Sequence, residues 1–393
     1  MVSYPNKLEI IFDYLIKNGI KPVIVGGYVR DYFLNKKNNN NKYLVKDIDI
    51  DIELYNATSF DQIEYILKKF GNPNIIGKSF GVIKLDLDEV EIDFSLPRVE
   101  NKISSGHKGF NVSTYPNLSY LEASSRRDFT INSIGFDVLN KKILDPHSGL
   151  KDLKKKKLKI VNEKTFVEDP LRILRAMQFC ARFELEPDND LIKIASNMCK
   201  KGLLNELAQE RIYEEFKKLF IKSKYISKGL NFLKNVDGFL YFNELKEIKN
   251  SWQVTLRYID NVNRNIFDDN TNITILLAIL SYKMDQITKE SFLNKITSKN
   301  STLRSIDHIH HVNKYLDKNL SVIKYSIVKD LNLSILIEYL RAKEFSKETL
   351  DKAKNIKPIV HGRDLIKIGM KKSKDFKDFL QLLYELQINK NFS

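Results

Sequence analysis

Cysteine is scarce in this sequence, and long hydrophobic runs are missing from it. Cys180 and Cys199 both lie within apolar patterns of helical spacing, so the sequence argues against a disulfide framework and fits a reducing compartment. It has no run of about 18 apolar residues, and its first residues lack a basic segment followed by an apolar one. We therefore expect neither a membrane span nor an export signal, and the expected location is the cytoplasm.

Acidic residues are outnumbered by basic ones. The chain has 65 Lys and Arg against 50 Asp and Glu, a formal net charge of +15, which favours a polyanionic partner through counterion release and electrostatic steering. A biased genome composition can produce the same surplus of lysine. The charge alone therefore leaves nucleic-acid binding open.

Two kinds of hydrophobic spacing divide the chain. In the first part, helical spacing alternates with short apolar runs and turn residues, which predicts a small α/β sheet. From about Glu168 onward, apolar residues recur every three or four positions, which predicts helices to the end. The expected fold class is α+β, with domain boundaries near residues 140 and 230. The elements predicted in the first part are helices over 8–15 and 28–34, a helix capped by Ser59 and ended by Gly71, strands over 22–25, 47–54, 81–87 and 90–94, and an exposed loop over 35–42.

One predicted strand alternates aspartate with isoleucine. Its period of two places Asp47, Asp49 and Asp51 on one face and three isoleucines on the other, where they can anchor the strand in a core. The ordinary interpretation is an edge strand with a solvated face. However, like charges stacked on one face repel each other, and a divalent cation would relieve that repulsion. Asp93, on a later alternating strand, could lie beside the first two aspartates.

Two glycines separate the first predicted strand from a helix. Gly26 and Gly27 would let backbone N–H groups approach an anion at the helix N-terminus, and Arg30 could add a bidentate phosphate contact. A tight strand-to-helix connection without a ligand explains the same pattern. The glycines become more specific in combination with the acidic strand about twenty residues downstream.

A series of ordered motifs resembles those of one enzyme family. The glycine turn with Val29, Arg30 and Asp31, followed by Asp47-x-Asp49, resembles the first motif of the DNA polymerase β superfamily, in its class II tRNA nucleotidyltransferase branch. That branch also includes bacterial poly(A) polymerases. Two further signatures follow in order, at residues 126–132 and 168–175, and strong similarity spans about residues 21–215. Residues between about 230 and 350 carry no motif that we can assign to a family.

The resemblance implies a fold and an activity. It implies a polymerase-β-like catalytic head over residues 1–140, a neck with a base-selecting helix over 141–230, and a helical body and tail that bind tRNA over 231–393. The implied reaction is template-independent addition of C, C and A to the 3′ end of tRNA from CTP and ATP, with release of pyrophosphate. The protein would be a monomer or a homodimer without a membrane partner.

The resemblance also implies residue roles. Asp47, Asp49 and Asp93 would be catalytic, with Asp47 and Asp49 holding Mg²⁺. The implied nucleotide-binding residues are Gly26, Gly27, Arg30, Arg127, Asp128, Asp169, Arg172 and Arg175.

The implied base-selecting pair lies on a predicted helix. Asp169 and Arg172 are three residues apart, so they would share one face, with Leu171, Leu174, Met177 and Ala181 on the packed side. As acceptor and donor, the pair could replace a template base for both C and A. A surface salt bridge is the simpler interpretation of such a pair. Gln178 departs from the pattern, because relatives usually carry arginine there.

Several alternatives remain open at this stage. Poly(A) polymerase is the nearest, although the basic Arg/Lys-Phe segment expected of it is replaced by residues 76–81, and addition of A alone or of CC alone is another. A non-catalytic RNA-binding protein on the same scaffold is an alternative of a different class. His308, His310 and His311 could form a metal site, a partly exposed helix face or an RNA-facing patch.

Overall fold

The computed structural model divides into two compact units. It describes residues 2–38, 48–76, 81–87, 90–102, 110–114, 118–317, 320, 322–371, 373 and 375–389. The first unit comprises Met1–Leu207 with Asn235–Asp237, and the second comprises Ala208–Lys234 with Gly238–Ser393. Strands occur in the first unit and helices in both, which confirms the α+β class. The three-part division at residues 140 and 230 stays a prediction.

A mixed sheet forms the centre of the first unit. The strands are β1 (Lys21–Val25), β2 (Ile48–Tyr55), β3 (Asn74–Ile76), β4 (Val82–Leu87), β5 (Val90–Ser95), β6 (Arg98–Lys102), β7 (Phe110–Thr114), β8 (Gly135–Asp137), β9 (Lys142–Leu144), β10 (Lys157–Leu158) and β11 (Glu186–Pro187). Among the described residues, the main sheet has the order β3-β4-β5-β2-β1-β8-β9. Only the β2–β5 pairing is parallel within it. The pairs β6–β7 and β10–β11 form separate small ribbons.

Helices complete both units. Those of the first are α1 (Lys7–Lys17), α2 (Gly27–Asn38), α3 (Phe60–Leu67), α4 (Tyr120–Ser124), α5 (Gly149–Lys154), α6 (Glu163–Phe166), α7 (Leu171–Arg182) and α8 (Asn189–Lys200). The rest of the chain carries α9 (Gln209–Lys222), α10 (Ile226–Asn235), α11 (Trp252–Asp260), α12 (Asp269–Ser281), α13 (Gln286–Ile296), α14 (Asn300–Leu316), α15 (Tyr325–Val328), α16 (Leu333–Ala342), α17 (Lys347–Lys354), α18 (Gly362–Lys367) and α19 (Phe376–Ile388). Short 3₁₀ turns lie between them, including Thr130–Asn132.

The buried hydrophobic residues follow the two kinds of spacing found in the sequence, which are every second residue in strands and every three or four residues in helices. On β2, Ile50 and Ile52 are fully buried, as their alternation with aspartate predicts. In the second unit, every residue of α12 from Asn272 to Ser281 is buried. A helix that is apolar on all sides belongs at the centre of a bundle, and α12 accordingly packs against α9, α14 and α16. No helix in the described ranges combines the length and apolarity needed to span a bilayer.

The structure corrects some predicted boundaries. Helix α2 continues to Asn38, where a loop was predicted from residue 35, because lysines at 36 and 37 are good helix formers. Helix α3 ends at Leu67 rather than at Gly71, although Ser59 caps it as predicted and accepts a hydrogen bond from the Gln62 N–H. The packed side of α7, with Leu171, Leu174, Met177 and Ala181, is buried and confirmed.

The structure also shows where one residue of the histidine cluster lies. The side chain of His310 is buried, and its Nε2 lies 2.8 Å from the carbonyl oxygen of Ala278. Burial lowers the pKa of His310 to about 3, which keeps the ring neutral. The three histidines therefore do not share an exposed helix face, because the middle one belongs to the core of the second unit.

We expect Gly149→Ala to destabilise the first unit. A Cβ at Gly149 would lie 2.1 Å from the carbonyl oxygen of Thr130 and 2.8 Å from Cγ1 of Ile134. Because a backbone atom cannot yield as a flexible side chain does, the free energy of unfolding should fall by about 1–3 kcal/mol. Chemical denaturation would measure it, with Lys151→Ala, at an exposed position of the same helix, as the control. A Gly149→Ala protein as stable as that control would contradict the packing seen here.

Candidate active site

The glycine turn joins β1 to α2 under tight steric limits. Gly26 has φ +70°, a left-handed conformation that glycine adopts without strain. A Cβ there would lie 2.9 Å from Nη1 of Arg127 and 3.4 Å from Oδ2 of Asp51. At Gly27, the first residue of α2, a Cβ would meet only Nη2 of Arg30, at 3.6 Å. The two glycines therefore have different tasks, since only Gly26 makes room for charged groups of the site.

Three carboxylates lie together beside this turn. One ligand oxygen from each of Asp49, Asp51 and Asp93 lies within 4.8 Å of the others, a spacing that suits a bound metal ion. Strand pairing explains the cluster, because β2 and β5 run parallel with Asp51 opposite Asp93. Antiparallel pairing of β2 with β1 sets Asp51 opposite Val25, next to the turn.

Asp51 is the residue that the sequence reasoning missed. It was placed on the acidic face but not in the predicted metal pair, whereas the structure joins it to Asp49 and Asp93. The Asp-x-Asp pattern occurs twice in residues 47–51, so the pattern alone could not choose between the two pairs. Asp47 lies outside the described residues, and its role as a metal ligand stays a prediction.

The electrostatics of the cluster favour a cation. The crowding of the Asp51 carboxylate by protein atoms raises its pKa to about 6, even though the residue is exposed overall; Arg127 opposes that shift, and Asp49 and Asp93 add to it. Partial burial is also the main cause that raises the pKa of Asp93. Within the described residues, Oδ1 of Asp93 is buried without a hydrogen-bond partner, and Nζ of Lys84 is 3.9 Å away. A buried acceptor among like charges fits a metal ligand.

Arg127 connects this cluster to a buried carboxylate. Its Nη2 donates to Oε1 of Glu53 at 2.9 Å, and its Nη1 donates to the carbonyl oxygen of Asn132 at 3.3 Å. Burial alone would raise the pKa of Glu53, but Arg127 and Arg126 hold it below its usual value. The predicted nucleotide ligand Arg127 is thus present at the glycine turn, beside Asp51.

Asp128 and Arg30 belong to a second network. Oδ1 of Asp128 accepts hydrogen bonds from the N–H of Phe129 and from Nδ2 of Asn132, while Oδ2 accepts from Nε of Arg175 at 2.7 Å. Burial would raise the pKa of Asp128, yet the neighbouring arginines hold it below its usual value. Arg30 is buried and donates to Oδ1 of the same Asn132 at 2.6 Å.

These contacts qualify the predicted roles of Arg30, Asp128 and Arg175. Arg30 also pairs with Asp31, and its guanidinium lies 4.4 Å from the ring centroid of Phe183. The three predicted nucleotide ligands therefore interact within the protein and fix the 3₁₀ turn that carries Asn132. Direct contact with a nucleotide remains a prediction for each of them.

The predicted base-selecting pair begins α7. Oδ1 of Asp169 accepts a hydrogen bond from the Leu171 N–H, which caps the first turn. Arg172 donates from Nη1 to the carbonyl oxygen of Thr165 and from Nη2 to that of Arg126. Both side chains are partly exposed, as base selection requires. Base selection by this pair stays a prediction.

Gln178, the departure from the family pattern, lies on the packed side of α7. It is 1% exposed, and its Oε1 has no hydrogen-bond partner in the described part of the chain. A side chain so deeply buried does not present its amide to solvent. The structure thus gives no sign that Gln178 replaces the contact that arginine makes in relatives.

Gly26→Ala should damage both the fold and the site. The substitution adds a side chain where φ is positive and where Nη1 of Arg127 would be 2.9 Å away. We expect a loss of about 1–3 kcal/mol in the free energy of unfolding. Gly27→Ala is the matched control for stability, since its Cβ would meet only an ordinary van der Waals contact. Equal unfolding midpoints for the two variants would show that Gly26 is not constrained.

Asp51→Asn should stabilise the protein when no metal is bound. Because the pKa of Asp51 is raised from 3.8 to about 6, ionisation of Asp51 destabilises the fold increasingly between about pH 4 and 6, and fully above that range. Water screens part of this effect, so we expect a gain of about 1 kcal/mol at pH 8 and none below about pH 4. Denaturation with a chelator present would measure the gain, with Asp61→Asn on α3 as control. A gain independent of pH would contradict this account.

Comparisons with known proteins agree with the geometry. The Poly A polymerase head domain model matches residues 23–159. A Multifunctional CCA protein of Acinetobacter baumannii (strain SDF) is 34% identical over 197 residues, which cover 49% of this chain and 43% of that protein. One of Xylella fastidiosa (strain 9a5c) is 31% identical over 201 residues, which cover 50% of this chain and 44% of that protein. The match spans less than half the length of each relative.

Solved structures share the fold over nearly the whole chain. The Thermotoga maritima CCA-adding enzyme complexed with tRNA has a TM-score of 0.69 at 19% identity, covering 99% of this chain and 92% of that one. The complex of a CCA-adding enzyme with CTP has a TM-score of 0.70 at 20% identity, with the same coverages. Residues 23–159 are thus similar to the Poly A polymerase head domain, and the chain shares the fold of CCA-adding enzymes.

Proposed function

We propose that this chain adds C, C and A to the 3′ end of tRNA, using CTP and ATP and releasing pyrophosphate. The observation that carries the proposal is the cluster of Asp49, Asp51 and Asp93 beside the Gly26 turn, within a poly(A) polymerase head domain. The relatives named CCA protein support the same reaction.

The acidic cluster would hold Mg²⁺. Hard cations of this kind take carboxylate and phosphate oxygens together, and the Asp93 oxygen without a hydrogen-bond partner suits that role. When bound, the metal would neutralise charge on the triphosphate and lower the pKa of the attacking 3′-hydroxyl. The protein's own contribution is alignment, because attack of the 3′ oxygen on the α-phosphorus needs the leaving pyrophosphate in line.

The glycine turn and Arg127 would bind the triphosphate. The α2 N-terminus directs N–H groups and a partial positive charge towards an anion, and Arg127 lies against the same turn. Asp169, just before α7, can accept from an exocyclic amine, and Arg172, on α7, can donate to ring acceptors, so that protein atoms replace a template base.

The helical second unit would bind the body of tRNA. Several of its cations lie over aromatic rings, among them Lys224 at 4.7 Å from the ring centroid of Tyr225 and Lys234 at 5.5 Å from that of Trp252. Lysines of this unit would contact the phosphates of tRNA, and such contacts depend on charge and shape rather than on base sequence. The net charge of +15 supports the same partner.

A stepwise incorporation assay tests the proposal. The purified protein is incubated with Mg²⁺, each labelled nucleotide and tRNA transcripts that lack A, CA or CCA. We expect it to add only the missing nucleotides and then to stop. Asp49→Ala and Asp51→Ala should each reduce incorporation by about 100-fold or more, because the metal loses a charged ligand. Asp61→Ala, an exposed acid on α3, should leave incorporation unchanged.

Other products would identify the alternatives. Long A tracts made from ATP alone would identify a poly(A) polymerase, and a stop after CC or after A alone would identify a partial activity. Tight tRNA binding without incorporation would identify an RNA-binding protein on the same scaffold. The segment at residues 77–80, where a poly(A) polymerase is expected to carry a basic motif, lies outside the described residues.

A further inference from the structure

The acidic face of β2 carries one residue that the proposed reaction leaves unused. Asp49, Asp51, Glu53 and Tyr55 follow each other at every second position and therefore share one face of the strand. The two aspartates of this series are exposed, whereas Glu53 is 1% exposed and Tyr55 is 6% exposed. Glu53 is thus the buried continuation of the metal-binding face.

Every oxygen of the Glu53 carboxylate has a partner. Oε1 accepts from Nη2 of Arg127 at 2.9 Å and from Nη2 of Arg126 at 3.2 Å, and Oε2 accepts from the hydroxyl of Tyr55 at 2.9 Å. A buried carboxylate is costly unless it is paired and hydrogen-bonded in this way. Its presence beneath the site therefore calls for an explanation beyond packing.

Arg127 lies between two competing carboxylates. Its Nη2 bonds to Glu53, while its Nη1 lies at the Gly26 turn, where Oδ2 of Asp51 is also close. An arginine beside an exposed aspartate pairs with it readily. A direct Arg127–Asp51 pair would occupy an oxygen that a metal needs.

We propose that Glu53 is a positioning residue, which holds Arg127 against the Gly26 turn for the triphosphate and away from Asp51. The inference rests on the proposed function, because it assigns Arg127 to nucleotide binding. Glu53 touches neither nucleotide nor metal in this account. It acts through Arg127.

A double-mutant cycle between Glu53 and Arg127 tests this role. Glu53→Gln keeps the size and one acceptor oxygen but removes the charge that attracts Arg127. We expect it to raise KM for CTP and the Kd of CTP from calorimetry by about tenfold, with a smaller effect on kcat. In an Arg127→Gln background the same substitution should have less than a twofold effect, since Glu53 then has no arginine to position.

Tyr55→Phe is the matched control for the buried cluster. It removes one hydrogen bond to Glu53 and leaves the Glu53–Arg127 pair in place, so KM should change by less than threefold. If Glu53→Gln does not fold, as thermal unfolding would reveal, Glu53→Asp keeps the charge, withdraws the carboxylate by one methylene, and should raise KM about threefold.

Two results would overturn the inference. The first is an unchanged KM in folded Glu53→Gln or Glu53→Asp, and the second is an equal effect of Glu53→Gln with and without Arg127. Failure of the proposed function would look different, because the unsubstituted protein itself would then incorporate no nucleotide. Titration of Mn²⁺ adds a readout that does not need turnover, and Glu53→Gln should weaken Mn²⁺ binding as Arg127 moves onto Asp51.

Discussion

The parallel pairing of β2 with β5 is the constraint on which the site depends. It sets Asp51 opposite Asp93, while the antiparallel pairing of β2 with β1 brings the same aspartate next to the glycine turn. Repulsion between these carboxylates works against folding, and the buried isoleucines on the other face of β2 offset it. The strand thus uses one face to stabilise the sheet and the other to collect negative charge for a cation.

Charge in the first unit is arranged in two linked layers. The outer layer contains the aspartates that a metal would contact, and the inner layer contains Glu53 and Asp128, each paired with arginines. The 3₁₀ turn joins the two buried carboxylates, because Asn132 contacts Arg127, the partner of Glu53, through its carbonyl and Asp128 through its amide. A nucleotide bound at the turn would therefore meet side chains whose positions are already fixed, which lowers the cost of ordering them.

The sequence was sufficient to predict the elements with a strong hydrophobic period, but it was not sufficient to predict how the strands pair. Alternation on β2 and the apolar stripe on α7 predicted which residues are buried, because burial follows local periodicity. The choice of Asp51 as a member of the cluster depends on register between strands some 40 residues apart, which no local pattern encodes. Likewise, the internal hydrogen bonds of Arg30 and Arg172 arise from tertiary contacts. The motifs alone therefore predicted only ligand contacts for these two arginines.

The aspartate–isoleucine repeat has a consequence for the accuracy of folding. A slip of β2 by two residues along β5 would keep isoleucines in the core and still present an aspartate opposite Asp93, so neither hydrophobicity nor charge rejects it. Glu53 ends the repetition, since its longer side chain meets Arg126 and Arg127, which lie outside the strand, in the observed alignment. The ion pair between Glu53 and these arginines therefore helps to fix the register of β2, which the repeating sequence of the strand does not determine by itself.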